Sequence, residues 1–167
     1  NTPSADAQTI RETLGFAIDW AESWDQWTLK GYQGGLAAYD TWIKGMISGN
    51  ADPFGLAYHA KIWSECRGFA VEFLKEAGNR FNGEYAALFS DAVSHYAIVS
   101  DSLTGISHLW PWPDEGTHDT RKEEVEERTL EKGTKDRIIT ELEKAKEAEA
   151  AGVDALKKIV RALQNAR

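Results

Sequence analysis

The sequence predicts an all-α protein, an up-and-down bundle of five to six helices closed by a long C-terminal helix, and three observations carry that prediction. Apolar residues recur at three- and four-residue intervals through most of the chain. The runs are broken at Gly, Pro and Asn, and no stretch alternates as a strand would. All 18 aromatic residues precede Pro113, after which the composition turns to Glu, Lys and small aliphatics.

The first helix is expected to begin near Ser4, or at Thr9 with Glu12 as its capping-box partner, and to carry Ile10, Leu14, Ile18, Ala21 and Trp24 on one side. It should fray near Trp27. Gly31, Gly34 and Gly35 interrupt, and Leu36, Tyr39, Ile43, Met46 and Ile47 then mark a second helix that stops at Ser48-Gly49-Asn50. Asp52-Pro53 starts the third, over about residues 54 to 77, with His59, Ile62, Trp63, Cys66, Phe69, Ala70 and Phe73 read as its core face and Gly78-Asn79 as its end. After Asn82-Gly83 a fourth helix places Tyr85, Leu88, Phe89, Ala92, Tyr96, Val99, Leu103 and Ile106 at the same spacing and ends before Pro111. The charge-dense stretch 113–133 reads as a connector containing a short exposed helix or partial disorder. From about Thr134, Ile138, Ile139, Leu142, Ala145, Ala148, Val153, Leu156, Ile159, Val160 and Leu163 give a narrow apolar seam between Glu and Lys pairs, made imperfect by Gly152. The organisation expected is one helical domain over 1–167: an aromatic-rich core (1–112), the connector (113–133) and a bracing helix (134–167).

At 167 residues the chain can bury a substantial core without disulfides or a structural metal. A net charge of -8 argues against general nucleic-acid binding, which relies on Lys and Arg to neutralise phosphate, and against an anionic membrane surface. One cysteine, Cys66, excludes an internal disulfide and makes a cytoplasmic location the expectation. Apolar stretches are short of a bilayer span and no basic, hydrophobic leader is read, although Asn1 in place of an initiator methionine raises the expectation of processing.

Three kinds of site can be weighed. For a metal, Asp91 and His95 stand four apart on one helix, and His59 projects from the preceding one. A carboxylate-bridged di-metal bundle would need paired Glu-x-x-His motifs, which are missing, so Asp91 and His95 form half a site. For nucleophilic catalysis, Cys66 falls between Trp63 and Phe69 on the apolar face and reads as a buried, inert thiol. Asp19 with Glu22, and Glu72 with Glu76, read as solvated helix faces, and Gly31 to Gly35 lacks the lysine of a phosphate loop. No catalytic residue and no cofactor is assigned. The third kind is a hydrophobic pocket. Trp20, Trp24 and Trp27 form a row, and Tyr32, Tyr39, Trp42, Tyr58, Trp63, Tyr96, Trp110 and Trp112 supply more polar-tipped rings than a small core usually uses.

The stretches Gly35-Leu36-Ala37-Ala38-Tyr39-Asp40-Thr41-Trp42-Ile43, Ala57-Tyr58-His59-Ala60, Trp63-Ser64-Glu65-Cys66-Arg67-Gly68-Phe69-Ala70, His95-Tyr96 and Leu109-Trp110-Pro111-Trp112-Pro113 occur in that order. In this the chain resembles the C-terminal helical region of a bacterial group, the butirosin-biosynthesis H-type, papain-like (bacteriocin-peptidase-like) proteins, over about residues 8 to 165. In that group a papain-like domain precedes the helical region. The resemblance implies that the cysteine chemistry belongs to a preceding domain outside these residues, that Cys66 does not stand for its nucleophile, and that the helical region has an accessory role.

The expected function is therefore non-catalytic. Trp24, Tyr39, Trp42, Tyr58, His59, Trp63 and Tyr96 are expected to line a cleft for a small organic ligand, or the bundle to pack on a papain-like partner domain, as a monomer or homodimer. The alternatives are a metal-dependent enzyme using His59, Asp91 and His95, and a protein–protein interaction module.

Overall fold

The computed structural model of the chain describes residues 3–81, 83–109 and 131–164. Among these are five α-helices and no strand: α1 (Pro3–Glu22), α2 (Gly35–Ser48), α3 (Pro53–Asn79), α4 (Ala86–His108) and α5 (Lys132–Gln164), with a 3-10 turn at Trp24–Gln26 after α1. The connector expected over 113–133 lies outside the described residues except for its last three positions, as do Trp110 and Trp112.

Local chemistry sets the helix ends. The Asp52 carboxylate accepts from the Gly55 amide at 2.8 Å and Pro53 fills the first turn of α3, where its lack of an N–H leaves no bond unmade. Gly49 ends α2 in the left-handed region, at φ 72°. Thr9 does not cap α1. It lies inside the helix, where its carbonyl accepts from the Thr13 hydroxyl. At the crossing of α1 and α2 a Cβ on Gly35 would stand 2.1 Å from the Ala21 carbonyl oxygen, so only glycine lets the two chains approach so closely.

The helix α4 packs on both α3 and α5, while α1 and α2 each pack on α5. At about 50 Å from its 33 residues, α5 is long enough to carry both. Two core clusters result. In one, Tyr39 and Met46 of α2 meet Ala57 and Ala60 of α3, Leu103 and Ile106 of α4, and Ile138 and Leu142 of α5. In the other, Ile10 and Leu14 of α1 meet Val71 and Leu74, Phe89 and Tyr96, and Leu156 and Ile159 of the same three helices.

The buried positions of α5 step by four and three residues through Ile138, Leu142, Ala145, Glu149, Gly152, Leu156, Ile159 and Leu163. Gly152 is not the flaw in this seam that the sequence led us to expect. It is a notch for the Tyr96 ring, which a Cβ at that position would meet at 3.1 Å.

The face of α3 also corrects an expectation. The helix buries Leu56, Ala57, Ala60, Ser64, Val71, Leu74 and Ala77, a stripe turned roughly 100°, one residue position, from the ring-bearing stripe expected to pack. Close approach to α4 is the reason: the Ser100 hydroxyl donates to the Ser64 carbonyl at 2.9 Å, a separation that small side chains on the contact line permit and rings would not. Phe69 is consequently 75% exposed, and Cys66 is an exposed thiol rather than a buried one.

Candidate functional site

Because α1 and α3 both lie against other helices and not closely against each other, the side chains facing the gap between them decide whether it closes. Thr13, Ala17 and Ala21 of α1 and Ala70 of α3 are too small to bridge it, and an apolar cleft of about 430 Å³ remains. That volume is within the usual range for small-molecule sites. Phe16, Trp20 and Phe73 stand at its rim, each at least a third exposed. Trp27 joins the first two, with ring centroids 5.3 Å from Phe16 and 5.7 Å from Trp20.

The floor of the cleft is polar. Arg67 of α3, Tyr96 of α4 and Glu149 of α5 line it beside Leu156. The Arg67 Nε donates to both Glu149 oxygens, at 2.7 and 2.9 Å, and the Tyr39 hydroxyl donates to one of them at 3.2 Å. The guanidinium carbon sits 5.1 Å from the Trp63 ring centroid, so a cation–π contact backs the pair. Glu149 is 4% exposed. A carboxylate so placed needs its partner, because a lone buried charge is strongly unfavourable. Burial, and then the neighbouring Glu149 charge, push the phenols of Tyr39 and Tyr96 well above the ordinary tyrosine value. Burial works against the Arg67 cation, but the Glu149 carboxylate outweighs it and holds the guanidinium charged.

The residues expected to form a pocket are distributed differently. Tyr39, Trp42 and Trp63 pack on one another, with centroids 5.8 to 6.5 Å apart, and fill the gap between α2 and α3. His59 packs on Trp42 at 6.3 Å, and Tyr58 stands edge-on to His59 at 5.7 Å on the exposed side of this cluster. Trp24 lies in the 3-10 turn, its Cβ facing Gly34. Of the seven residues only Tyr96 lines the cleft.

The candidate metal ligands are not brought together. His95 and Asp91 pair with each other at 3.5 Å, and Asp91 also meets Lys158 of α5 at 3.5 Å. His59 bonds through Nδ1 to the Gly55 carbonyl near the start of α3. The Ser64–Ser100 bond together with the contact of Gly78 on Phe89 shows α3 and α4 to be antiparallel, which sets His59 opposite the end of α4 and roughly 15 Å along the bundle from His95. Among the described residues no three His, Cys, Asp or Glu side chains gather as a metal site.

Arg67 and Glu149 had a sequence signal. Glu149 occupies the α5 seam between Ala145 and Gly152, and Arg67 falls between Ser64 and Val71 on the packed stripe of α3. A charge at such a position is buried if the stripe is.

No family model matches the chain, and neither the curated proteins nor the solved structures contain a match. No helix among the described residues is long and apolar enough to cross a membrane.

Proposed function

We propose that the protein is a non-catalytic binding module that takes a small organic molecule into the cleft between α1 and α3. The carrying observation is the combination of apolar walls, rings on the rim and a buried polar floor in one cavity of about 430 Å³, the arrangement by which small-molecule sites obtain affinity from burial and orientation from a few polar groups. Native mass spectrometry of the gently purified chain, beside its denatured mass, tests the reading. A retained molecule of organic size, absent from an Ala70→Leu variant that fills the cleft, is the expected result. A ligand retained equally by that variant would place binding elsewhere and defeat the proposal.

A second reading is an interaction module that packs on a partner such as a papain-like domain. It is favoured by the exposed row of Phe54, Tyr58, Ile62, Phe69 and Phe73 along the outer side of α3. Sedimentation of the chain with and without Phe69→Glu discriminates for self-association: a concentration-dependent dimer abolished by the substitution supports this surface, and an unchanged monomer counts against a homodimer there.

A further inference from the structure

Two of the three polar groups at the cleft floor, Arg67 and Tyr96, carry donors that their protein partners leave unsaturated, whereas Glu149 accepts. Arg67 spends only its Nε on Glu149. Its two terminal nitrogens, with four N–H bonds between them, have no hydrogen-bond partner among the described residues, and the partly buried side chain lines the cleft. The Tyr96 hydroxyl is in the same position, on a side chain only 6% exposed. The acceptor capacity nearby is largely committed, since the Glu149 carboxylate already takes Nε twice and Tyr39 once.

Charge decides between the acceptors that could satisfy these donors. Glu149 already neutralises Arg67, so a ligand carboxylate would stand as a second anion against Glu149 in a water-poor site, on a chain of net charge -8. An ammonium would face the guanidinium. An uncharged carbonyl takes up the free N–H and O–H groups and disturbs neither member of the pair.

Building on the cleft reading above, we propose that the ligand is an uncharged molecule with an apolar, ring-sized body and a terminal carbonyl, its body between Ala17, Ala70 and Phe73 and its oxygen accepting from Arg67 and Tyr96.

Three compounds of one shape but different end groups test this: benzylacetone (a ketone), butylbenzene (no acceptor) and hydrocinnamate (an anion). Each is titrated into the full chain, and dissociation constants are read from NMR shifts of the Trp20 indole and the Ala70 methyl. The expected order is benzylacetone about tenfold tighter than butylbenzene, as a hydrogen bond to a charged donor gives, with hydrocinnamate weaker than the ketone. Tyr96→Phe, and separately Arg67→Met with Glu149→Leu, should narrow the ketone's advantage over butylbenzene. Should the double variant fail to fold, Tyr96→Phe alone carries the comparison. Equal affinity for ketone and hydrocarbon would overturn the carbonyl assignment but leave the cleft as a binding site. Hydrocinnamate binding tightest would overturn it in favour of an anion. If none of the three shifts Trp20 or Ala70, the cleft reading falls with it.

Discussion

The protein has two gaps of the same kind and treats them oppositely. At one, α2 lies across from α3 and the space is filled by Tyr39, Trp42 and Trp63; at the other, α1 lies across from α3 and Ala17, Ala21 and Ala70 leave the cleft. The shared elements α3, α4 and α5 run through both, and the side chains facing each gap differ in volume. The rings of the closed gap bury their area against one another, whereas the open gap leaves apolar wall facing the cleft.

The comparison is broken most severely at the boundary between the two gaps. Glu149→Leu alone leaves the partly buried Arg67 cation without its partner and should lose about 3 kcal/mol of stability in urea denaturation, the low end for a broken buried pair because Arg67 keeps some solvent. Adding Arg67→Met should restore most of that loss, since a well-packed apolar pair of similar volume needs no desolvated charge. Similarly, Trp63→Ala in the filled gap should destabilise by about 3 kcal/mol, whereas Trp20→Ala at the cleft rim, with its ring 40% exposed, should remain below about 1 kcal/mol. Similar losses at both positions would mean that the cleft is closed in solution.

The phenols at the boundary give a pH test. Tyr39 and Tyr96 have folded pKa values raised above the ordinary 10.0, so the unfolded chain loses these protons first. The stability they contribute is whole below about pH 10 and is lost progressively as pH rises beyond it. Alkaline unfolding followed by tyrosinate absorbance should show two phenols ionising with the unfolding transition, and Tyr39→Phe should shift the midpoint upward. The smallest expected effect is Ala70→Leu, which covers apolar surface inside the cleft and should be neutral or stabilise by up to about 1 kcal/mol. A clear loss would mean that the cleft has no room for the added carbons.

Much of the fold was legible because helix faces are periodic. The buried hydrophobic residues of α4, namely Phe89, Ala92, Tyr96, Val99, Leu103 and Ile106, follow the expected stripe, and so do the aliphatics of α5. On α3 two stripes were available, and preference for bulky rings selected the one with Phe69 and Cys66. The packed one is made of small residues, whose value is to let a neighbour approach and not to bury much area themselves. The cleft was less legible still. It comes from the smallness of Ala17, Ala21 and Ala70 where they face each other, and that pairing exists only after the helices are arranged. Glu149 stood within the seam that the sequence already marked, whereas Arg67 lay on the small-residue stripe of α3 that ring preference passed over.

The α5 seam also raises a question of alignment. Alanines and short aliphatics spaced by three and four would pack almost as well if the helix slid along its axis by two turns, so burial alone indexes α5 weakly against α3 and α4. Glu149 removes the ambiguity, because only one sliding position sets its carboxylate against Arg67 and Tyr39, and Gly152 beneath the Tyr96 ring enforces the same position by shape. The pair acts as an index pin: it holds the longest helix at the one offset that leaves the floor of the cleft assembled.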